Sequence, residues 1–279
     1  MTTVEHPEPI GTTAVSPARR HVGALIKSFR ARAGLTQKAV ADRLLVSVST
    51  LSAYECGERI PTSAFLADAD RLLDARGALT SCVPLMEEER YPPTFVGWVR
   101  LEKKAAVINA YEAMVFPGLL QTEEYMRGLY ESAVPRLPEE QIEKDVQGRL
   151  ERQAIVHRVP VPNFGYVIEE GVLTRPVGGA GVLRAQLVHV LGLIRATANL
   201  MVQVMPTSRR RHAGLAGSMQ LLSTLEGRNY AYSDAQVAGR LITKPEEVSQ
   251  CMDRFGMLRA QALDPWESAD LIERTAERL

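Results

Sequence analysis

Residues 35–60, LTQKAVADRLLVSVSTLSAYECGERI, decide the fold of the first third of this chain. Val40, Leu44, Val46, Leu51 and Tyr54 recur at spacings that place them on the facing sides of two short helices, predicted over 37–44 and 48–56, which cross at a tight turn. Ala41 falls at the crossing, where a side chain larger than a methyl would hold the helices apart. Thr36 and Ser47 each precede a helix, where a hydroxyl can accept a hydrogen bond from a free backbone N–H. Leu45 occupies the turn. A left-handed backbone there would cost leucine about 1–2 kcal/mol, so the turn is expected to be either strained or differently shaped.

Working outward, HVGALIKSFRARAGLTQ (21–37) reads as a preceding helix with Val22, Leu25, Ile26 and Phe29 on one face, closed by Gly34. On the other side, Cys56-Gly57-Glu58-Arg59-Ile60-Pro61 forms a loop. Residues 61–75 are expected to continue as a helix with Phe65, Leu66, Ala69, Leu72 and Leu73 inward, and 79–90 as another short helix. Tyr91-Pro92-Pro93 marks a domain boundary. Residues 1–16, rich in threonine and proline, read as a disordered tail, 17–90 as an all-α domain and 91–279 as a larger second domain.

On these residues the segment 20–76 resembles the helix-turn-helix of the phage repressor and Cro (XRE) family, which implies a lambda-repressor-like fold and binding to double-stranded DNA. The resemblance pairs Arg30 with Glu55, expected as a brace within the domain rather than as base readers. The reading face of the second helix is chemically plain: Val48, Ser49, Ser52 and Ala53 offer none of the two-pronged contacts that arginine makes with guanine or glutamine with adenine. Ser47 at the helix start, Gln37, Lys38 and Arg43 on the preceding helix and Arg59 in the loop complete the candidate DNA-binding set. Affinity should then be largely electrostatic. Residues 17–80 carry ten Lys or Arg against six Asp or Glu, a net of +4, although the whole chain is neutral. One such helix spans only a few base pairs, which implies a homodimer reading two half-sites.

No apolar run is long enough to cross a membrane and no signal segment opens the chain, so a soluble cytoplasmic protein is expected. Cys56, Cys82 and Cys251 lack zinc-site spacing and read as free thiols. No metal, cofactor or catalytic constellation is apparent, and an enzyme is not expected.

Beyond residue 90 the pattern mixes helices and strands, giving an α+β domain with a small mixed sheet. Helices are predicted over 139–157 and 181–198, the latter with a stripe of Leu183, Leu187, Val190, Leu191 and Ile194. Others are predicted from 244 to 261 and from 265 to the end, each opened by a capping box at 243–246 and 264–267. Strands are expected at 163–169, 200–205, 218–223 and 229–232. Thr122 should cap a helix carrying Tyr125, Leu129 and Tyr130.

Leu101-Glu102, Tyr111-Glu112, the run Pro117 to Tyr125, Arg175 to Gly179 and His212 to Gly217 give residues 91–275 a resemblance to the uncharacterised C-terminal domain attached to XRE-type regulators of actinomycetes, sometimes described as antitoxin-like. Gly178-Gly179 lacks the remaining glycines and the lysine of a phosphate loop. Arg209-Arg210-Arg211-His212 is a basic run that could clamp a carboxylate or phosphate, touch DNA or stand solvated. The expectation for the whole chain is a sequence-specific transcriptional regulator whose second domain senses a small molecule. The alternative is an antitoxin-like DNA-binding protein whose second domain holds a small partner protein.

Overall fold

The computed structural model describes residues 15–89, 93–234 and 239–279. The chain forms two compact units, one up to residue 90 and one from residue 91. The expected tail lies outside the described residues except for Val15 and Ser16, as do Tyr91 and Pro92 at the expected boundary.

The first unit is built from α1 (Pro17–Arg32), α2 (Gln37–Arg43), α3 (Val48–Glu55), α4 (Ser63–Leu72) and α5 (Val83–Glu88). Its first four helices start and stop by the same device. Ser16, Thr36, Ser47 and Thr62 each accept from the backbone N–H three residues on, at 3.0–3.1 Å, satisfying a donor the helix itself cannot. At the other ends, Leu35, Val46, Glu58 and Ala75 donate back to the carbonyls of Arg30, Ala41, Ala53 and Asp70 at 2.9–3.2 Å. This return bond requires a left-handed residue in between. Gly34 (φ 67°), Leu45 (φ 55°), Gly57 (φ 73°) and Asp74 (φ 47°) supply it. The turn between α2 and α3 therefore has the usual left-handed shape, with leucine in the strained position.

The same device corrects the expected helix over 61–75, which ends at Leu72 because Asp74 turns left-handed. The segment expected as one helix over 79–90 is a 3-10 turn, Thr80–Cys82, followed by α5. Asp70 explains the fold-back between them: its carboxylate accepts from the N–H groups of Gly77, Leu79 and Thr80 at 2.8, 2.8 and 2.9 Å. Val22, Ile26, Val40, Ala41, Leu51, Leu66 and Ala69 are almost wholly buried, each larger aliphatic side chain contributing on the order of 2 kcal/mol. Gly23 brings α1 against the end of α3, since a Cβ there would meet the Tyr54 carbonyl oxygen at 2.5 Å.

The second unit contains a six-stranded sheet in the order β3-β2-β1-β4-β5-β6, from β1 (Ala105–Glu112), β2 (Asn163–Glu169), β3 (Leu200–Met205), β4 (Met219–Thr224), β5 (Asn229–Ser233) and β6 (Arg240–Ile242). β1, β2 and β3 run parallel, while β4, β5 and β6 form an antiparallel meander on the other side of β1. The sheet is thus mixed, as expected. β1, its central strand, and β6 were not expected. The helices are α6 (Pro93–Glu102), α7 (Glu123–Glu131), α8 (Glu139–Gln153), α9 (Glu170–Thr174), α10 (Ala180–Ala196), α11 (Pro245–Gln261) and α12 (Pro265–Glu277).

Alternation along the strands sends Ile108, Ala110, Phe164, Tyr166, Ile168, Val202 and Val204 to one face, packed with residues of α6, α10 and α12. Tyr111, Val167, Met205, Met219 and Leu221 go to the other, against Val248, Phe255 and Leu258 of α11. β3 is an edge strand, and its free side is covered: Ser268 Oγ accepts from Val204 N–H at 2.9 Å and Leu263 N–H donates to the Val204 carbonyl at 2.8 Å. Asp264 and Glu267 form the expected capping box at the start of α12. The box expected at 243–246 does not form; Lys244 stands at that N-cap, where its side chain makes no capping bond. Thr122 caps α7 as expected. Among the described residues no helix is long and apolar enough to cross a membrane.

Candidate functional sites

The helix-turn-helix is held by one carboxylate. Glu55, at the end of α3, is buried and receives Arg30 of α1 in a two-pronged bond, Nε to Oε1 at 2.5 Å and Nη2 to Oε2 at 3.0 Å. Gln37 of α2 donates its amide to Oε2 at 2.8 Å, and Arg30 Nη1 reaches the Leu35 carbonyl at 3.0 Å. α1, α2 and α3 therefore converge on a single charge. The hydrogen bond to Glu55 raises the Arg30 pKa, outweighing the effect of burial. The predicted brace is present, and it takes up Gln37, whose amide points into the domain.

The remaining candidates frame the outer side of α3. Val48 is 43% exposed, Ser49 is exposed, and Ser52 and Ala53 are half-buried. Ser47 is exposed, but its hydroxyl serves the cap, bonding Thr50 N–H at 3.0 Å and the hydroxyls of Ser49 and Thr50 at 2.8 Å. Lys38 and Arg43 of α2 extend into solvent, and Arg59 is exposed with one nitrogen 3.4 Å from the Thr50 hydroxyl. The arrangement offers cations and small side chains around a rigidly held helix, which suits phosphate contact with little base discrimination. Glu55 is accepting from both Arg30 and Gln37 and is unavailable as a reader.

The basic run in the second unit is divided. Arg209, Arg210 and Arg211 are exposed, whereas His212 turns inward to the end of the sheet. Gly214 N–H donates to His212 Nδ1 at 2.9 Å, which places the ring proton on Nε2, and Nε2 donates to Glu169 Oε1 at 2.8 Å. The Tyr111 hydroxyl donates to the same oxygen at 2.8 Å. Burial first, and then the Glu169 carboxylate, push the tyrosine pKa up. Gly214 lies against the Tyr111 ring so closely that a Cβ would come within 2.3 Å of it. Thr207 N–H on Glu170 (2.8 Å) and Ala213 N–H on Gln261 (3.0 Å) pin the loop at two more points. The four residues do not form one clamp; His212 anchors the loop that presents the arginines. Glu169 and Tyr111 carry this anchor but were given no role from sequence, because their partner lies 43 residues or more away.

At the start of α10, Gly179 N–H is bonded to the Pro176 carbonyl at 2.9 Å, which agrees with the absence of a phosphate-loop pattern there. Cys56, Cys82 and Cys251 are free.

Comparison with known families matches residues 21–81 to a helix-turn-helix domain and residues 96–274 to a domain of unknown function (DUF5753). No curated protein and no solved structure matches the chain. The first match covers α1 from residue 21, and all of α2, α3 and α4, with the Arg30–Glu55 brace, and supports a DNA-binding regulator; the second spans most of the chain, including the whole sheet. The chain belongs to the DUF5753 family and carries a helix-turn-helix domain ahead of the domain that defines it.

Proposed function

We propose that this protein is a sequence-specific transcriptional regulator that binds operator DNA as a homodimer and whose second unit senses a small molecule. The observation that carries the DNA-binding part is the convergence of α1, α2 and α3 on Glu55, which fixes α3 while leaving its outer side open between Lys38, Arg43 and Arg59. Val48 and Ala53 would touch thymine methyl groups, and Ser49 and Ser52 base edges or phosphates. None of these distinguishes all four base pairs, so selectivity comes from DNA shape and from two half-sites read at once. A ligand that binds one dimer geometry better than the other shifts the population that fits DNA.

The second unit is read as a binding module and not as an enzyme. His212 has both ring nitrogens bonded, to Gly214 and Glu169, and so has no free nitrogen with which to activate a nucleophile. A second reading, an antitoxin-like protein whose second unit holds a small partner protein, draws on Arg209 to Arg211, which the pinned loop holds out in solvent. An acidic partner would suit them.

The test of DNA binding is retardation of DNA from the upstream region of the protein's own gene. Replacing Val48 and Ser52 together with aspartate places two negative charges against the phosphates and is expected to abolish the shift. Undiminished binding by that variant overturns the assignment of α3.

A further inference from the structure

We propose that the cleft between α11 and the outer strands of the sheet, β4 to β6, is a binding site for a small organic monocarboxylate with an apolar body, its carboxylate held by Arg254. The inference gives a chemical class to the ligand of the sensing reading and rests on that reading for its effect on DNA.

The cleft lies wholly within the second unit and encloses about 340 Å³, at the small end of the roughly 300–1,000 Å³ of small-molecule sites. One wall is α11. Glu247, Cys251 and Arg254 stand at i, i+4 and i+7 and so form a single stripe of that helix along the cleft, while Val248 and Phe255 beside them are buried against the sheet and fix the helix in place. The other wall is apolar: Met219 at the start of β4 and Ile242 at the end of β6 are each 7% exposed and both line it. Gly217 also lines it, near the end of the loop that His212 anchors and that displays Arg209 to Arg211. A Cβ on Gly217 would meet nothing within 4 Å, so the loop backbone borders open space there.

Two arginines and one carboxylate line the cleft, and they are unequally matched. Glu247 Oε2 accepts from Arg240 Nη2 at 2.8 Å, and its Oε1 lies 3.5 Å from Lys244 Nζ. That carboxylate is fully engaged. Arg254 has neither an ion pair nor a hydrogen bond among the described residues. A solvated arginine on a helix surface is common, and exposure alone would carry nothing. What sets Arg254 apart is its place, on a cleft walled by Met219 and Ile242 whose other arginine already holds a counter-ion.

The lining therefore offers one free guanidinium, whose planar fork matches a carboxylate. A phosphate dianion would bring its second charge toward Glu247 with no cation left to meet it. Met219 and Ile242 give an apolar body a surface to cover, so neither the charge nor the apolar part of the ligand suffices alone.

The full-length protein carries its own reporter, because Cys251 lines the cleft while Cys56 is exposed in the first unit. Alkylation by iodoacetamide is followed at each cysteine by peptide mass spectrometry, with hexanoate, benzoate or phenylacetate present at millimolar concentration. Acetate, benzyl alcohol and inorganic phosphate are the controls. At least one of the three acids is expected to slow alkylation of Cys251 by about fivefold or more and to leave Cys56 unchanged, with the controls giving little protection. In Arg254→Met, whose side chain is exposed and whose loss should leave the melting temperature unchanged, the ratio of rates with and without acid should return to one. Arg254→Lys should keep the protection at several-fold higher acid concentration.

The site is refuted if none of the three acids protects Cys251, if Arg254→Met is protected as the unaltered chain is, or if acetate, benzyl alcohol or phosphate protects as well as they do. Protection of Cys251 through Arg254 with DNA affinity unchanged keeps the site and sinks the sensing reading. An acid that shifts DNA affinity equally in the unaltered chain and in Arg254→Met does the reverse.

Discussion

Replacing Leu45 with glycine should stabilise the first unit. Leu45 holds φ at 55° in the turn between α2 and α3, where the Val46 N–H returns to the Ala41 carbonyl at 3.0 Å. The left-handed backbone costs a branched residue about 1–2 kcal/mol. Its side chain is 93% exposed, so removing it forfeits almost no buried surface. Against the relieved strain stands the greater freedom of glycine in the unfolded chain, roughly 0.5–1 kcal/mol. The balance favours the variant by about 0.5–1 kcal/mol, which for a unit of this size raises its melting temperature by roughly 4 °C. Differential scanning calorimetry of the full-length protein reads this directly. A converse control is Gly34→Ala: Gly34 is also left-handed, and a Cβ there meets nothing within 4 Å, so the loss is backbone strain less the unfolded-state freedom that glycine gives up, about 0.5–1 kcal/mol. A fall in melting temperature for Leu45→Gly, with the expected loss for Gly34→Ala, would refute the reasoning. It would mean that the exposed leucine makes a contact worth more than its strain.

Two other perturbations follow from the first unit. Glu55→Ala strips Arg30 and Gln37 of their shared partner in a part-buried setting and should destabilise the unit by about 3 kcal/mol, seen as a lower urea midpoint; a change within 0.5 kcal/mol would show the brace to be dispensable. For Asp70, burial raises the pKa, but the N–H groups of Thr80, Gly77 and Leu79 outweigh it and leave the folded value below the ordinary one. Its stabilisation is therefore fully present above the unfolded pKa of about 3.9 and is lost as pH falls through the lowered folded value. Asp70→Asn should cost about 2 kcal/mol at pH 7 and progressively less below pH 4, and a pH-independent difference in urea midpoint between the two proteins would count against that assignment.

The first unit was legible because its determinants are local. A cap, a crossing alanine and a terminal glycine each act within four residues of where they stand, and the helix bounds of α2 and α3 came within one residue of those expected. The second unit was legible where strands carry branched or aromatic residues, as in NFGYVIE and LMVQVM. β1, AAVINAYE, was missed because its three alanines favour helix and its strand character comes from neighbours on both sides, not from its own composition. Its Asn109 is accommodated only because Gly165 lies opposite, where a Cβ would come within 2.4 Å of Oδ1. No local pattern encodes that match. The basic run 209–212 was visible as charge, but its division into a displayed triplet and an inward anchor depends on Glu169 and Tyr111, which only the sheet brings together.

We propose that α3 and its flanking cations bind DNA mainly through phosphates. The most direct measurement is the equilibrium affinity for upstream DNA as a function of salt. With Lys38, Arg43 and Arg59 contributed by each of two protomers, the logarithm of affinity should fall with the logarithm of salt at a slope of about −5, and Lys38→Ala should reduce the slope by roughly 2 per dimer. A slope near zero, or one unchanged by Lys38→Ala, would contradict it.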